Sequence, residues 1–425
     1  MAGNGIDTSI LHKGAHSASY FDLARNAGEG VEIVDFCIPC NPYFPTPEMF
    51  DELARDLKNI LKYYPSDSAG ITKKLASVLG LHPQTVAMAN GSTELITWID
   101  HLLIKQSVAI PIPTFGRWTD QPFETGKRVD MFPLQERDGF RLNLDDYVRF
   151  IRERNSRVAV LCNVNNPDGN YIPRRDVIRF MDMLGDLDLV VIDESFIDFS
   201  DAEPYPSVGP DAVIRPNTVV FKSLGKNFGL HGIRFGYMLA NPAIAGTIGK
   251  ALPKWNLNSL AEKVVFMIQE HEDEYEDSLR LLSRDRRQMA GELARVPGLT
   301  IFPSQGNFIL VKLPTEWSGV ALRDFLVGNH GVYTRECGNK LGMTSQFMRL
   351  VVRPARDVDR LIDGMMDYGR QFLARPQYEE DLRRRGQQDD WGQQDDWGQQ
   401  DDMPNNLIQY PTRRTDYTAR RAAGQ

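Results

Sequence analysis

The residues best able to do chemistry cluster at four places where an apolar, β-branched run gives way to a loop. The richest is Ser223-Leu-Gly-Lys226-Asn-Phe-Gly-Leu-His-Gly-Ile-Arg234-Phe-Gly-Tyr237. A lysine set among Gly, Phe and Leu is desolvated, which lowers its pKa and frees its amine for Schiff-base chemistry. Ser223 and Arg234 offer a hydroxyl and a guanidinium, donors that suit a phosphate. In Val190-Val-Ile-Asp193-Glu194-Ser195-Phe196, Asp193 closes an apolar run. A carboxylate there needs a cationic partner, and a protonated pyridine nitrogen would serve. Ala89-Asn-Gly91-Ser92-Thr93-Glu94 precedes a helical pattern at Leu95–Ile104, and a small-residue turn opening a helix presents free N–H groups to an anion. Asn163-Val-Asn165-Asn166-Pro167-Asp168-Gly169 is the fourth, a composition equally expected of a plain turn.

In an α/β sheet, ligands bind outside the carboxyl ends of strands, so the four junctions can converge. The strands that would carry them are Thr85–Ala89, Val108–Pro111, Arg128–Phe132, Val158–Cys162, Leu189–Ile192, Thr218–Lys222 and Phe235–Leu239. Seven such runs separated by helices predict a mixed sheet covered on both faces, a three-layer α/β/α domain. Thr46 is a plausible N-cap for a helix over Pro47–Leu61. Beyond a charged helical stretch, Ser259–Arg295, strands near Leu299–Phe302, Phe308–Lys312 and Phe347–Val352 alternate with helices Ala321–Asn329 and Ala355–Leu373, a smaller α+β domain. The expected divisions are an N-terminal arm over 1–45, a large domain over 46–290, a small domain over 291–377 and a tail over 378–425. The tail repeats Gly-Gln-Gln-Asp-Asp-Trp from Gly386 and has no apolar periodicity, so it is expected to be disordered.

The 425 residues carry a formal charge of −8, with no excess of Lys and Arg to neutralise a nucleic-acid backbone. No apolar run approaches membrane-spanning length and no secretory signal opens the chain, so a cytoplasmic location is expected. Cys37-Ile-Pro-Cys40 is a C-x-x-C pair, but a zinc site wants a second Cys or His pair at matching spacing. Pro39 and Pro42 favour extended backbone, against a redox pair opening a helix. Reduced thiols and no metal are the expectation.

The pattern Ser-x-x-Lys-x-x-Gly-Leu-x-Gly-x-Arg-x-Gly-Tyr over 223–237 resembles the cofactor-lysine motif of fold-type-I pyridoxal-5′-phosphate (PLP) enzymes in the class I/II aminotransferase superfamily. The other junctions fall in that family's order, and the resemblance covers about residues 30–372. It implies that Lys226 forms the Schiff base with the cofactor and later shuttles protons at the substrate Cα. It implies that Asp193 pairs with the pyridine nitrogen, Asn166 bonds the phenolic oxygen and Phe115, in Pro113-Thr114-Phe115-Gly116, stacks on the ring. Ser92, Thr93, Ser223 and Arg234 resemble the phosphate cradle, and Tyr64 the tyrosine contributed by a neighbouring subunit, which implies a homodimer. Arg349 sits where the family keeps its substrate-carboxylate arginine. Two departures stand out. Asp168 replaces the usual Thr of Asn-Pro-Thr-Gly, with little chemical effect expected, and Phe196 replaces a Tyr that would bond the cofactor oxygen.

Within the superfamily the chain is similar to histidinol-phosphate aminotransferases and threonine-phosphate decarboxylases. Phe196 and the stretch Thr334-Arg335-Glu-Cys337-Gly-Asn339-Lys-Leu-Gly342, then Phe347-Met-Arg349-Leu-Val-Val-Arg353, resemble the decarboxylase branch. Arg335 would then bind a phosphate or other distal anion, with His12 and Asn41 as further substrate contacts. The expected activity is decarboxylation of a phosphorylated or otherwise dianionic amino acid, a phosphonate included; the alternative is amino transfer to or from a 2-oxo acid. A non-catalytic relative of this fold should have lost Lys226 or Asp193, and both are present.

Overall fold

In the computed structural model, residues 6, 8–12, 18–28 and 31–373 are described. The acidic repeat of the tail lies outside them. β-strands are numbered β1–β12 in chain order and helices are given by range.

Seven strands make the larger sheet: β2 (Val86–Ala89), β3 (Ser107–Ile112), β4 (Arg128–Pro133), β5 (Val158–Cys162), β6 (Leu189–Asp193), β7 (Thr218–Lys222) and β8 (Gly236–Ala240). Their order is β2-β8-β7-β6-β5-β3-β4. Every pairing is parallel except those of β8, which runs antiparallel to both β2 and β7. The side-chain period of two sends alternate residues into two cores. From β5 and β6, Val158, Val160, Leu189 and Val191 join one apolar cluster, while Ala159, Leu161, Val190 and Ile192 join the other. Helices cover both faces, the three-layer arrangement read from the alternating pattern. Each of the seven apolar runs of the sequence is a strand of this sheet.

The second sheet has order β1-β11-β12-β10-β9, built from β1 (Val34–Phe36), β9 (Thr300–Ile301), β10 (Phe308–Lys312), β11 (Val332–Glu336) and β12 (Phe347–Val351). Two of its strands were not expected. β1 comes from the arm and pairs parallel with β11, so the segment before the first long helix is an edge strand of this sheet. That helix, Pro47–Lys62, is capped by Thr46, whose hydroxyl accepts the Met49 N–H, and has Pro47 in its first turn. The charged stretch after Ser259 is not one helix. It runs Ser259–Met267, passes through a 3₁₀ turn at Ile268–His271 and continues as Glu272–Leu293.

Candidate active site

Lys226 lies in the one-turn helix Leu224–Asn227, immediately after β7. Its Nζ stands 5.5 Å from the centroid of the Phe115 ring and 4.7 Å from that of Phe196. Burial holds its amine below the ordinary lysine pKa; the Asp193 carboxylate opposes that shift and Arg349 and Arg234 add to it. Lys222, four positions earlier, provides the contrast. Its buried Nζ lies 2.7 Å from Asp198 and 3.4 Å from Glu194, and the two carboxylates outweigh burial and raise its pKa. One lysine is held by an ion-pair network, and the other faces two aromatic rings with its amine held below the ordinary lysine pKa. Asn227 belongs to the same network, donating to Asp198 at 2.5 Å, which ties the lysine helix to the sheet end.

Asp193 is the last residue of β6 and is buried. Its Oδ1 accepts the Ser195 N–H at 3.0 Å and its Oδ2 accepts the indole N–H of Trp118 at 2.8 Å. Trp118 is fully buried in the helix Arg117–Glu124, two residues beyond the loop that presents Phe115. Asn166 accepts Arg349 Nη1 on its Oδ1 at 2.9 Å, leaving its amide NH₂ to donate elsewhere. The other Arg349 terminal nitrogen donates to Cys37 O at 2.5 Å, and the guanidinium lies 5.4 Å over the Phe308 ring. Its Nε is buried with no hydrogen-bond partner among the described residues.

Donors suited to an anion converge where the helix Ser92–Leu102 begins. Gly91 precedes it with φ 88, and no side chain caps its first turn. A Cβ on Gly91 would come 2.7 Å from Arg234 Nη2, and one on Gly236 would come 2.6 Å from Ser92 N. The two glycines let the Arg234 guanidinium and the uncapped N–H groups of Ser92 and Thr93 close on one spot, where the partial positive charge of the helix end adds to the arginine's. Ser223 makes no capping bond with its own hydroxyl.

Beside Phe115 opens a cleft of about 520 Å³ whose lining includes Thr93, Phe115, Arg117, Arg335, Asn339 and Lys340. Arg335 stands opposite Arg349 in the β11–β12 register and donates to Asn339 Oδ1 at 2.8 Å.

Two expected residues, Asn41 and Tyr64, do not line this cleft. Asn41 is buried, but its amide donates to Asn227 O at 3.2 Å and Ser278 Oγ at 2.8 Å, and its oxygen accepts the Tyr43 N–H at 3.0 Å. With those bonds made, it anchors the arm to the lysine helix. Gly229 permits the approach, since a Cβ there would meet Phe44 O at 2.2 Å. Tyr64 is 83% exposed and packs on Trp255, ring centroids 5.3 Å apart, away from its own chain's cleft. His12 ends the 3₁₀ turn Thr8–His12, and its side chain lies outside the described residues. Sequence reasoning missed Trp118, Lys340 and His231. The last has its Nε2 2.8 Å from Pro39 O and its pKa pushed down to about 4, mainly by burial.

Fold and site together are those of a fold-type-I PLP enzyme. The chain belongs to the aminotransferase class I and II family, whose model matches residues 31–365. It is 28% identical to the L-serine phosphate decarboxylase of Campylobacter jejuni over 83% of this chain and 93% of that one. It is 32% identical to the CMP-5′-(3-aminopropyl)phosphonate synthase of Streptomyces rubellomurinus, over 72% of this chain but 48% of that longer protein. Among solved structures, a decarboxylase from Sulfurospirillum multivorans superposes with a TM-score of 0.74 at 28% identity, covering 83% of this chain and 92% of that one. Histidinol-phosphate aminotransferases also match, at 27–28% identity.

Proposed function

We propose that this chain is a PLP-dependent decarboxylase of an amino acid bearing a second, phosphate or phosphonate, anion. The observation that carries the reading is the Arg335–Arg349 register. Two guanidinium side chains on neighbouring strands, with Lys226 and Asn166 close by, offer one cation to a carboxylate and another to a distal anion. The likeness to L-serine phosphate decarboxylases along nearly their whole length supports the same substrate class.

The residues present fit the cofactor. Ser92, Thr93, Ser223 and Arg234 would hold its phosphate, Asp193 its pyridine nitrogen, Asn166 through its free NH₂ its phenolic oxygen, and Phe115 its ring face, with Lys226 Nζ as the covalent attachment. Bound there, PLP supplies an electron sink for the negative charge left on the substrate Cα. Arg349 would bind and orient the carboxylate, and Arg335 the distal anion. In decarboxylation the Cα–carboxylate bond breaks, CO₂ departs and Lys226 delivers a proton to Cα; in transamination Lys226 removes the Cα proton instead. Phe196 bears on this choice. It packs edge-on against Phe308 at 5.0 Å and presents an apolar ring to Lys226, where a tyrosine would present a hydroxyl. An ammonium whose pKa is lowered gives up its proton to carbon more readily once CO₂ has left. Amino transfer remains the second reading, supported by the matching aminotransferases.

The working unit in this reading is a homodimer, in which Tyr64 reaches the partner's phosphate cradle. Exposed Phe50, Leu57, Leu61, Tyr63, Tyr64 and Trp255 form the apolar surface it would bury. Four free cysteines suit a reducing, cytoplasmic setting. Purified protein should bind PLP with the visible absorption of a lysine-bound cofactor and release CO₂ from O-phospho-L-serine. Glutamate formed from 2-oxoglutarate without CO₂ would favour the second reading.

A further inference from the structure

Lys340 falls within the Thr334–Gly342 stretch without a role assigned to it, and it lines the cleft beside Phe115. The turn after β11 is closed by the Lys340 N–H to Cys337 O at 2.9 Å and the Met343 N–H to Lys340 O at 3.0 Å, which turns the Lys340 side chain inward. Its Nζ donates to Thr114 O at 3.1 Å, the residue before Phe115, and it lines the cleft with Arg335 and Arg117. The carboxylates on that lining are otherwise engaged. Glu124 pairs with Arg117 at 3.1 Å, and Asp120 accepts from Thr119 at 3.2 Å. Among the described residues no carboxylate comes within ion-pairing distance of Lys340, and the cationic side chains acting on it are Arg349 and Arg335. A half-buried ammonium with one neutral acceptor and two cations beside it is costly unless a ligand supplies the anion.

We propose that Lys340 is a second ligand of the substrate's distal anion, acting with Arg335 and setting the preference for a phosphate-like dianion. This rests on the reading given under Proposed function and names the residue that makes it selective. A dianion asks for two cations, and an ammonium using one of its three donors has two left to give. Burial and the flanking Arg349 and Arg335 hold the free ammonium down to about 8, with Cys337 and Cys162 the other titratable groups facing it. A bound dianion favours the charged form. Affinity should therefore be full below about pH 8 and fall as pH rises past it, with a proton taken up on binding.

The test uses the holoenzyme and two probes that differ only in the distal group, O-phosphoethanolamine and ethanolamine, with binding read from the cofactor's visible band. The wild type should prefer the phosphorylated probe, and Lys340→Met should cut that preference about tenfold to a hundredfold, the size of a lost charge-assisted bond. Lys340→Arg should restore most of it, and cofactor affinity should stay unchanged in both variants. In the wild type the preference should decline above about pH 8 and be flat in Lys340→Arg, a readout that survives if Lys340→Met folds poorly. A preference unaltered in Lys340→Met, or one independent of pH in the wild type, overturns the assignment. If the preference behaves as expected but O-phospho-L-serine yields no CO₂, the decarboxylase reading fails while the role of Lys340 stands.

Discussion

Two lysines four positions apart differ in what surrounds them, and the difference assigns their work. Lys222 is clasped by Asp198 and Glu194, whereas Lys226 faces two aromatic rings. Lys226→Ala should abolish the visible cofactor band, while Lys222→Met should keep the band and lose stability, mainly through the buried carboxylate of Glu194 left without its cation, by about 3–5 kcal/mol in denaturant unfolding. Trp118 carries a subtler expectation. Its indole N–H holds one oxygen of Asp193, and Trp118→Phe keeps the apolar packing while removing a bond worth about 1.5–3 kcal/mol. We expect weaker PLP affinity and a shifted pH titration of the bound cofactor's absorption, with unfolding little changed; an unaltered titration would reduce Trp118 to a packing residue. Lys226, Asp193, Asn166 and Arg234 were legible because each breaks an apolar or glycine-rich pattern with a charge or amide that such a place does not need. Trp118 was not, because a tryptophan among apolar residues looks like core until the fold brings Asp193, 75 positions away, beneath its nitrogen.

At the scale of elements, the seven runs of the large sheet could be read because parallel strands buried on both faces are continuously apolar. Two strands of the other sheet could not. β1 is three residues, Val34–Phe36, too short to show a period, and β11 ends in the charged Arg335 and Glu336. The bonds of Asn41 were hidden for a related reason, since its amide donates to Asn227 and Ser278, partners remote in sequence. The arm is also pinned by His231, which is neutral in the fold and donates to Pro39 O. Its folded pKa of about 4 lies below the unfolded value near 6.5, so between those values the unfolded chain holds more protons and stability falls as pH falls. By pH 5 this should cost about 1–2 kcal/mol relative to pH 7, after allowance for partial exposure. His231→Gln keeps an N–H donor and cannot titrate, so its thermal midpoint should drop less between pH 7 and 5 than the wild type's. Parallel pH profiles would dismiss the role.

For the whole molecule, the exposed surface at the end of the helix Pro47–Lys62 and the outward-facing Tyr64 would, in the proposed homodimer, link assembly to catalysis. Sedimentation should give a dimer. Tyr64→Phe should leave the dimer intact and weaken PLP binding by about threefold to tenfold, the loss of one hydrogen bond to a phosphate; an unchanged affinity would mean that the cradle is complete within one chain. The decisive chemistry follows a single carbon. Supplied with O-phospho-L-serine labelled at its carboxyl carbon, in deuterium oxide, the holoenzyme should release the label as CO₂ and leave O-phosphoethanolamine with one deuterium on the former Cα. Label retained in a 2-oxo acid, with glutamate rising from added 2-oxoglutarate, would contradict the account and make this chain an aminotransferase.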